Sequence, residues 1–120
     1  NAGAVGFMQL LPSTAKEMAR RNNIHFSAYK LKHNASYNMK LGSSYITHLL
    51  ERYNNSYILA VAAYNAGPRN TNRWISENGD PSEFEDPYDI IDWVEKISFS
   101  ETRNYVQRIL ESSIIYMHLI

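Results

Sequence analysis

An all-α domain is what this sequence predicts, and three observations carry the prediction. Apolar residues recur at three- and four-residue spacing along most of the chain, prolines fall at helix-starting positions, and no stretch keeps the two-residue alternation of a strand. The 120 residues fit one domain, since domains most often run about 100–150 residues. With 44% hydrophobic and 20% charged residues the chain can bury a core and is not disordered in composition. Twelve Lys and Arg balance 12 Asp and Glu, which argues against nucleic acid or an anionic membrane as the main partner, because both call for a basic surplus. Cysteine is absent, so disulfides, thiolate metal sites and cysteine catalysis are excluded. Tyr occurs nine times; its apolar ring and polar tip suit sugar or peptide grooves as well as ordinary cores.

Pro12 sits at a first-turn position, where its missing N–H costs nothing, and predicts a short helix through Arg21. Asn22 to Asn34 is polar and irregular, with Phe26, Tyr29 and Leu31 as expected anchors onto the core. A long helix is predicted from about Ser36 to Tyr53, with Gly42, Tyr45, Ile46, Leu49, Leu50 and Tyr53 on one buried stripe. Asn54-Asn55 ends it. Ile58 to Tyr64 is apolar on every side and rich in small residues, which predicts a buried central helix. Asn65-Ala66-Gly67-Pro68 stops that helix, with Gly67 expected in a left-handed cap. Arg69 to Asn78 reads as a polar helix pinned by Trp74 and Ile75, followed by a turn at Asn78-Gly79-Asp80-Pro81. Asp86-Pro87 opens the next helix, buried through Ile90, Ile91, Trp93, Val94 and Ile97. Ser98-Phe99-Ser100-Glu101 has the S-x-x-E pattern of a capping box and opens the last helix, with Tyr105, Val106, Ile109, Leu110 and Met117 on one face.

Several chemistries drop out. His25, His33, His48 and His118 lie far apart and match no metal-ligand spacing. Gly3-Ala4-Val5-Gly6 lacks both the third glycine of a dinucleotide loop and the Lys-Ser/Thr of a phosphate loop. No G-x-S-x-G elbow occurs. The longest apolar run, Ile58 to Tyr64, falls far short of the ~20 residues of a membrane span. Acid–base chemistry on carboxylates, or binding without chemistry, is left.

Three segments taken together carry a resemblance: Gly3-Ala4-Val5-Gly6-Phe7-Met8-Gln9-Leu10-Leu11-Pro12, Ala62-Ala63-Tyr64-Asn65-Ala66-Gly67-Pro68, and Ser98-Phe99-Ser100-Glu101-Thr102-Arg103-Asn104-Tyr105-Val106. In order and approximate spacing they resemble the catalytic domain of the soluble lytic transglycosylases, lysozyme-like enzymes that cut bacterial peptidoglycan. Asn38-Met39-Lys40-Leu41-Gly42 is similar to the N-I-x-x-G stretch between the first two blocks. Read singly, the same residues have plainer roles. Gln9 can satisfy backbone groups ahead of a helix, Asn65 can take a left-handed helix end, and Glu101 can complete the capping box with Ser98. The resemblance gives them a second role. It implies a glycan groove lined by Gln9, Leu11, Tyr64 and Asn65, with Glu101 and Tyr105 on the facing wall. Leu11 stands where relatives often carry Met, and Ser98 where they often carry Pro.

The same resemblance implies that the catalytic acid is a Glu in an E-S motif roughly ten residues upstream of the first block. The chain starts at Asn1, not Met, and no such motif precedes the block; Glu111-Ser112 is the only E-S pair and lies in the last helix. The expectation is therefore a lysozyme-like domain incomplete on its N-terminal side, with residues 1–120 a partial catalytic domain, no catalytic residue of its own and no cleavage by this piece alone. No metal or organic cofactor is implied. The expected partner is the peptidoglycan glycan strand, the expected location the periplasm or cell envelope of a bacterium. The expected reaction breaks the β-1,4 bond between N-acetylmuramic acid and N-acetylglucosamine without water, leaving a 1,6-anhydro sugar. A goose-type lysozyme-like hydrolase, a non-catalytic glycan-binding module and a helical protein-interaction domain are the alternatives.

Overall fold

A computed structural model describes residues 10–119, with side-chain burial through residue 111. Among the described residues there are α-helices and one 3-10 turn and no strand. The chain divides into two compact units, residues 1–48 and 49–120.

In the first unit, α1 spans Pro12–Arg21 with Pro12 at its start, and α2 spans Ala28–His33. Helix α3, Ala35–Arg52, begins in this unit and runs on into the second. Helix α2 occupies the stretch expected to be irregular. Six residues are too few to show a helical period, and its start is fixed by the Ser27 side chain, which accepts from the Lys30 N–H at 3.1 Å. The Tyr37 hydroxyl braces the approach to α2, accepting from the Ser27 N–H and donating to the His25 carbonyl. Leu31 is buried as expected, whereas Tyr29 is 74% exposed and stacks on His33 instead of anchoring. Buried Asn38 donates to the Leu31 carbonyl, tying α3 to α2, and Asn22 donates to Ser44, tying the end of α1 to α3. Leu41 and Gly42 are buried, and Ile46, expected on the buried stripe, lies at its margin and is exposed.

In the second unit α3 ends at Arg52, and Asn54 and Asn55 in the turn after it both have positive φ, a conformation Asn tolerates better than most residues. Helix α4, Tyr57–Ala66, is capped by Ser56 and buries Leu59, Ala60, Ala62 and Ala63. It packs on α5, Pro68–Asn78, and on α7, Ser100–Leu119. Small side chains are what let α4 serve two neighbours, because Ala keeps the helix axes close. The hydroxyl of Tyr53 donates to Asn72 on α5 at 2.8 Å. A 3-10 turn, Pro81–Glu83, leads to α6, Pro87–Glu95, whose start is capped by Asp86 accepting from the Tyr88 N–H. Trp93 and Val94 are fully buried on α6, and the Trp93 indole donates to the Gly79 carbonyl, fixing the turn that follows α5.

Two helix ends differ from expectation. Gly67 has φ 90° and ψ 152°, which is not the left-handed helical cap but an extended region that is essentially glycine's alone. Asn65 keeps a negative φ inside α4, so it does not form a left-handed end. Ser98 makes no capping box. Helix α7 begins two residues later, at Ser100, and the Ser98 hydroxyl accepts from the buried Trp74 indole at 2.9 Å.

Candidate functional site

Four of the expected site residues fall in the second unit, where α4 meets α7. Tyr64 and Asn65 occupy the last turn of α4 and are half-buried. Their backbone is held by the end of the helix, where the Gly67 N–H donates to the Ala63 carbonyl at 2.8 Å before Pro68 starts α5. A Cβ built on Gly67 would meet nothing within 4 Å, so glycine is needed there for its backbone freedom and not for close approach.

Helix α7 packs on α4, and on it Thr102 and Val106 are buried one turn apart, on one strip of the helix. The Thr102 hydroxyl donates to the Asn65 side-chain oxygen at 2.5 Å. Glu101 and Tyr105 flank that strip, themselves one turn apart, and both are exposed, Tyr105 at 41%. Glu101 lies in the first turn of α7, where a carboxylate complements the positive end of the helix dipole. The start of α7 is pinned from three sides. Trp74 holds Ser98, the Trp74 and Phe99 rings pack edge to face at 5.3 Å, and the Arg103 guanidinium donates to the Ile97 carbonyl. A rigid attachment of this kind is what keeps Glu101, Thr102 and Tyr105 in register with the end of α4.

Leu11 belongs to the first unit. It is the residue preceding α1, 44% exposed, with its carbonyl accepting from the Ala15 N–H. Gln9 lies outside the described residues. The sequence gives Thr102 no role of its own and reads Ser98 as a helix cap and Trp74 as a helix anchor; the structure adds the Thr102–Asn65 and Trp74–Ser98 bonds. Both bonds join residues distant in the chain, which local spacing does not show.

Among the described residues no Asp or Glu is buried; Glu17 and Asp80 are the least exposed, at intermediate burial. Glu17 is held ionised below the usual carboxylate range by hydrogen bonds from Arg20 and, secondarily, Arg21 on the surface of α1. Burial pushes the Tyr53 phenol up from its ordinary value. Among the described residues no three His, Asp or Glu side chains cluster as metal ligands, and no helix is long and apolar enough to cross a membrane.

Residues 1–86 match the family model of the transglycosylase SLT domain. Over 119 residues the chain is 34% identical to a putative soluble lytic murein transglycosylase of Haemophilus influenzae, covering 99% of this chain and 19% of that protein. It is 32% identical over 117 residues to the soluble lytic murein transglycosylase of Salmonella typhimurium, covering 97% of this chain and 17% of that protein. The chain thus spans less than a fifth of the length of these relatives. Among solved structures, an inactive Glu-to-Gln mutant of the lytic transglycosylase Slt of Pseudomonas aeruginosa superimposes with a TM-score of 0.75 at 37% identity, covering 97% of this chain and 18% of that one. The 70 kDa soluble lytic transglycosylase of Escherichia coli does so with a TM-score of 0.74 at 33% identity, covering 89% of this chain and 16% of that one. The all-α, lysozyme-like architecture expected from the sequence is the one these structures share. By the family match over most of its length and by these relatives, the chain belongs to the transglycosylase SLT domain family.

Proposed function

We propose that residues 1–120 form part of the catalytic domain of a peptidoglycan lytic transglycosylase, contributing the glycan-holding side of the cleft. The observation that carries this reading is the end of α4, where Asn65, beside Tyr64, is locked by Thr102 of α7 in a chain of the SLT family. Amide and phenol groups on a half-buried helix end, beside the exposed Glu101 and Tyr105, suit the N-acetyl and ring oxygens of a sugar strand. Gln9 and Leu11 extend the same role by family likeness.

Cleavage of the glycosidic bond needs a proton on the leaving oxygen while positive charge develops at the anomeric carbon. A carboxylic acid supplies that proton near neutral pH only when an apolar surround keeps it protonated above its usual ~4.3. Every Asp and Glu of this chain is at least partly exposed, which supports assigning the acid to a Glu outside residues 1–120. The inactive Glu-to-Gln form of the Pseudomonas relative agrees with a single essential Glu. In the proposed sequence this Glu protonates the leaving oxygen as the bond to the anomeric carbon breaks, and Tyr64 orients its carboxyl. The substrate's N-acetyl group, or the strain of its ring, supports the cation. The carboxylate then takes the proton of the muramic acid C6 hydroxyl, whose oxygen closes on the anomeric carbon. No water is consumed, and the acid returns to its starting state. Such chemistry places the protein where murein lies, in the bacterial envelope, with the periplasm the proposed compartment.

Mass spectrometry of the products tests the proposal. The full-length protein incubated with purified peptidoglycan should release 1,6-anhydromuropeptides, lighter by one water than reducing-end products. Reducing-end products would make it a hydrolase, and binding without release would make it a glycan-holding module.

A further inference from the structure

Tyr29, expected to anchor onto the core, is instead 74% exposed on α2, and its ring lies 4.5 Å from that of His33, one turn on. Lys32 shares that face of the helix, three residues on from Tyr29, and Lys30 borders it. Leu31 is the one buried residue of α2; Tyr29, Lys30, Lys32 and His33 are all exposed. The backbone beneath them is held at several points. Ser27 caps the start, Tyr37 braces the approach, and buried Asn38 donates to the Leu31 carbonyl. A short helix fixed from below thus presents two rings and two ammonium groups outward on a set frame.

The two lysines have no carboxylate partner in their own unit. Glu17 is the only acidic residue among residues 1–48, and Arg20 at 2.6 Å and Arg21 at 3.2 Å already hold it. Lysines complement the carbonyl end of α2, but that end needs no exposed aromatic pair beside it. We infer that this face of α2 binds the peptide stems of murein, the lysines meeting their carboxylates and the Tyr29–His33 pair giving their alanine methyls an apolar surface. Charge complementarity carries the choice of occupant: the face is cationic and uncompensated within its unit, and the stems are anionic. Contacts at exposed charges are individually weak, so the face adds to the hold on a strand already bound rather than holding one alone. The inference rests on the reading of the protein as a murein-cleaving enzyme, and adds to it a preference for peptide-bearing strands.

Co-sedimentation of the full-length protein on ice tests this, with untreated purified sacculi and with sacculi whose carboxylates have been converted to amides. Amidation should weaken wild-type retention about fivefold, the scale of two exposed ion pairs. Lys30→Gln/Lys32→Gln should lose as much on untreated sacculi and nothing further on amidated ones, whereas Lys30→Arg/Lys32→Arg should keep wild-type retention. Tyr29→Ala should weaken retention on both preparations, because its contact is apolar. Lys16→Gln/Lys40→Gln removes the same charge elsewhere in the unit and should stay within about twofold of wild type. All five side chains are exposed, so the substitutions leave the core intact. Equal losses for the two glutamine pairs, or unchanged retention of Lys30→Gln/Lys32→Gln or of Tyr29→Ala, would overturn the α2 face. Stronger lysine-dependent retention on phosphatidylglycerol vesicles than on sacculi would overturn it in favour of a lipid surface. Retention of wild type by neither sacculus preparation would instead overturn the murein reading itself.

Discussion

At Ser98 a sequence pattern and a side-chain bond compete for one hydroxyl. A capping box would join Ser98 and Glu101; the observed bond joins Ser98 to the indole of Trp74, which is 2% exposed. The two arrangements predict different mutants. Ser98→Ala should destabilise by about 1–3 kcal/mol, since it strands a buried donor, while Glu101→Ala should stay within about 0.5 kcal/mol. Denaturant titration of both variants distinguishes them, and equal losses would restore the capping box. Gly67 supports a second prediction at this scale. Its φ of 90° is hostile to side chains, yet a Cβ there would touch nothing. Gly67→Ala should therefore cost about 1–3 kcal/mol through backbone strain alone. Gly79→Ala adds steric crowding to comparable strain, because its Cβ would lie 3.3 Å from the Phe84 ring.

The Tyr53 hydroxyl, one residue past the end of α3, donates to Asn72 on α5, and this contact has a pH signature. Burial raises the Tyr53 pKa above the unperturbed value near 10, so the folded state prefers the neutral phenol. Stability from this group is complete below the unfolded pKa and is lost as pH climbs from there through the folded value. Thermal melts should show wild type losing stability more steeply above about pH 10 than Tyr53→Phe; parallel curves would remove Tyr53 as the cause. For α4 the expectation is a conventional core penalty: Leu59 is 1% exposed, and Leu59→Ala should cost about 2–5 kcal/mol by equilibrium unfolding. Legibility differs among these elements for physical reasons. Helix α4 was readable from its apolar run, although only Leu59, Ala60, Ala62 and Ala63 are buried and Ile58, Val61 and Tyr64 are half-buried, and the Asp86-Pro87 start of α6 was readable because cap and proline act locally. Helix α2 was not, because a short helix is set by its Ser27 cap and by Tyr37 ten residues away.

For the molecule as a whole, net neutrality conceals a division of charge. Residues 1–48 hold six Lys and Arg against one acidic residue, while residues 49–120 hold six against 11. The exclusion of anionic partners from the total charge therefore averaged two units of opposite sign. Attraction of the basic unit to the carboxylates of murein should make retention on purified sacculi fall as salt rises past the point where the Debye length is about 10 Å. Salt-independent retention would assign binding to uncharged contacts alone. As candidates, Tyr64, Asn65, Glu101 and Tyr105 were legible because family blocks mark them. Thr102 was not, because its bond spans two helices. Soaking the full-length protein with an N-acetylated glycan strand and solving the complex tests the central claim most directly. A sugar with polar atoms within hydrogen-bonding distance of Tyr64 and Asn65 is the predicted result; a strand seated away from the end of α4 would contradict it.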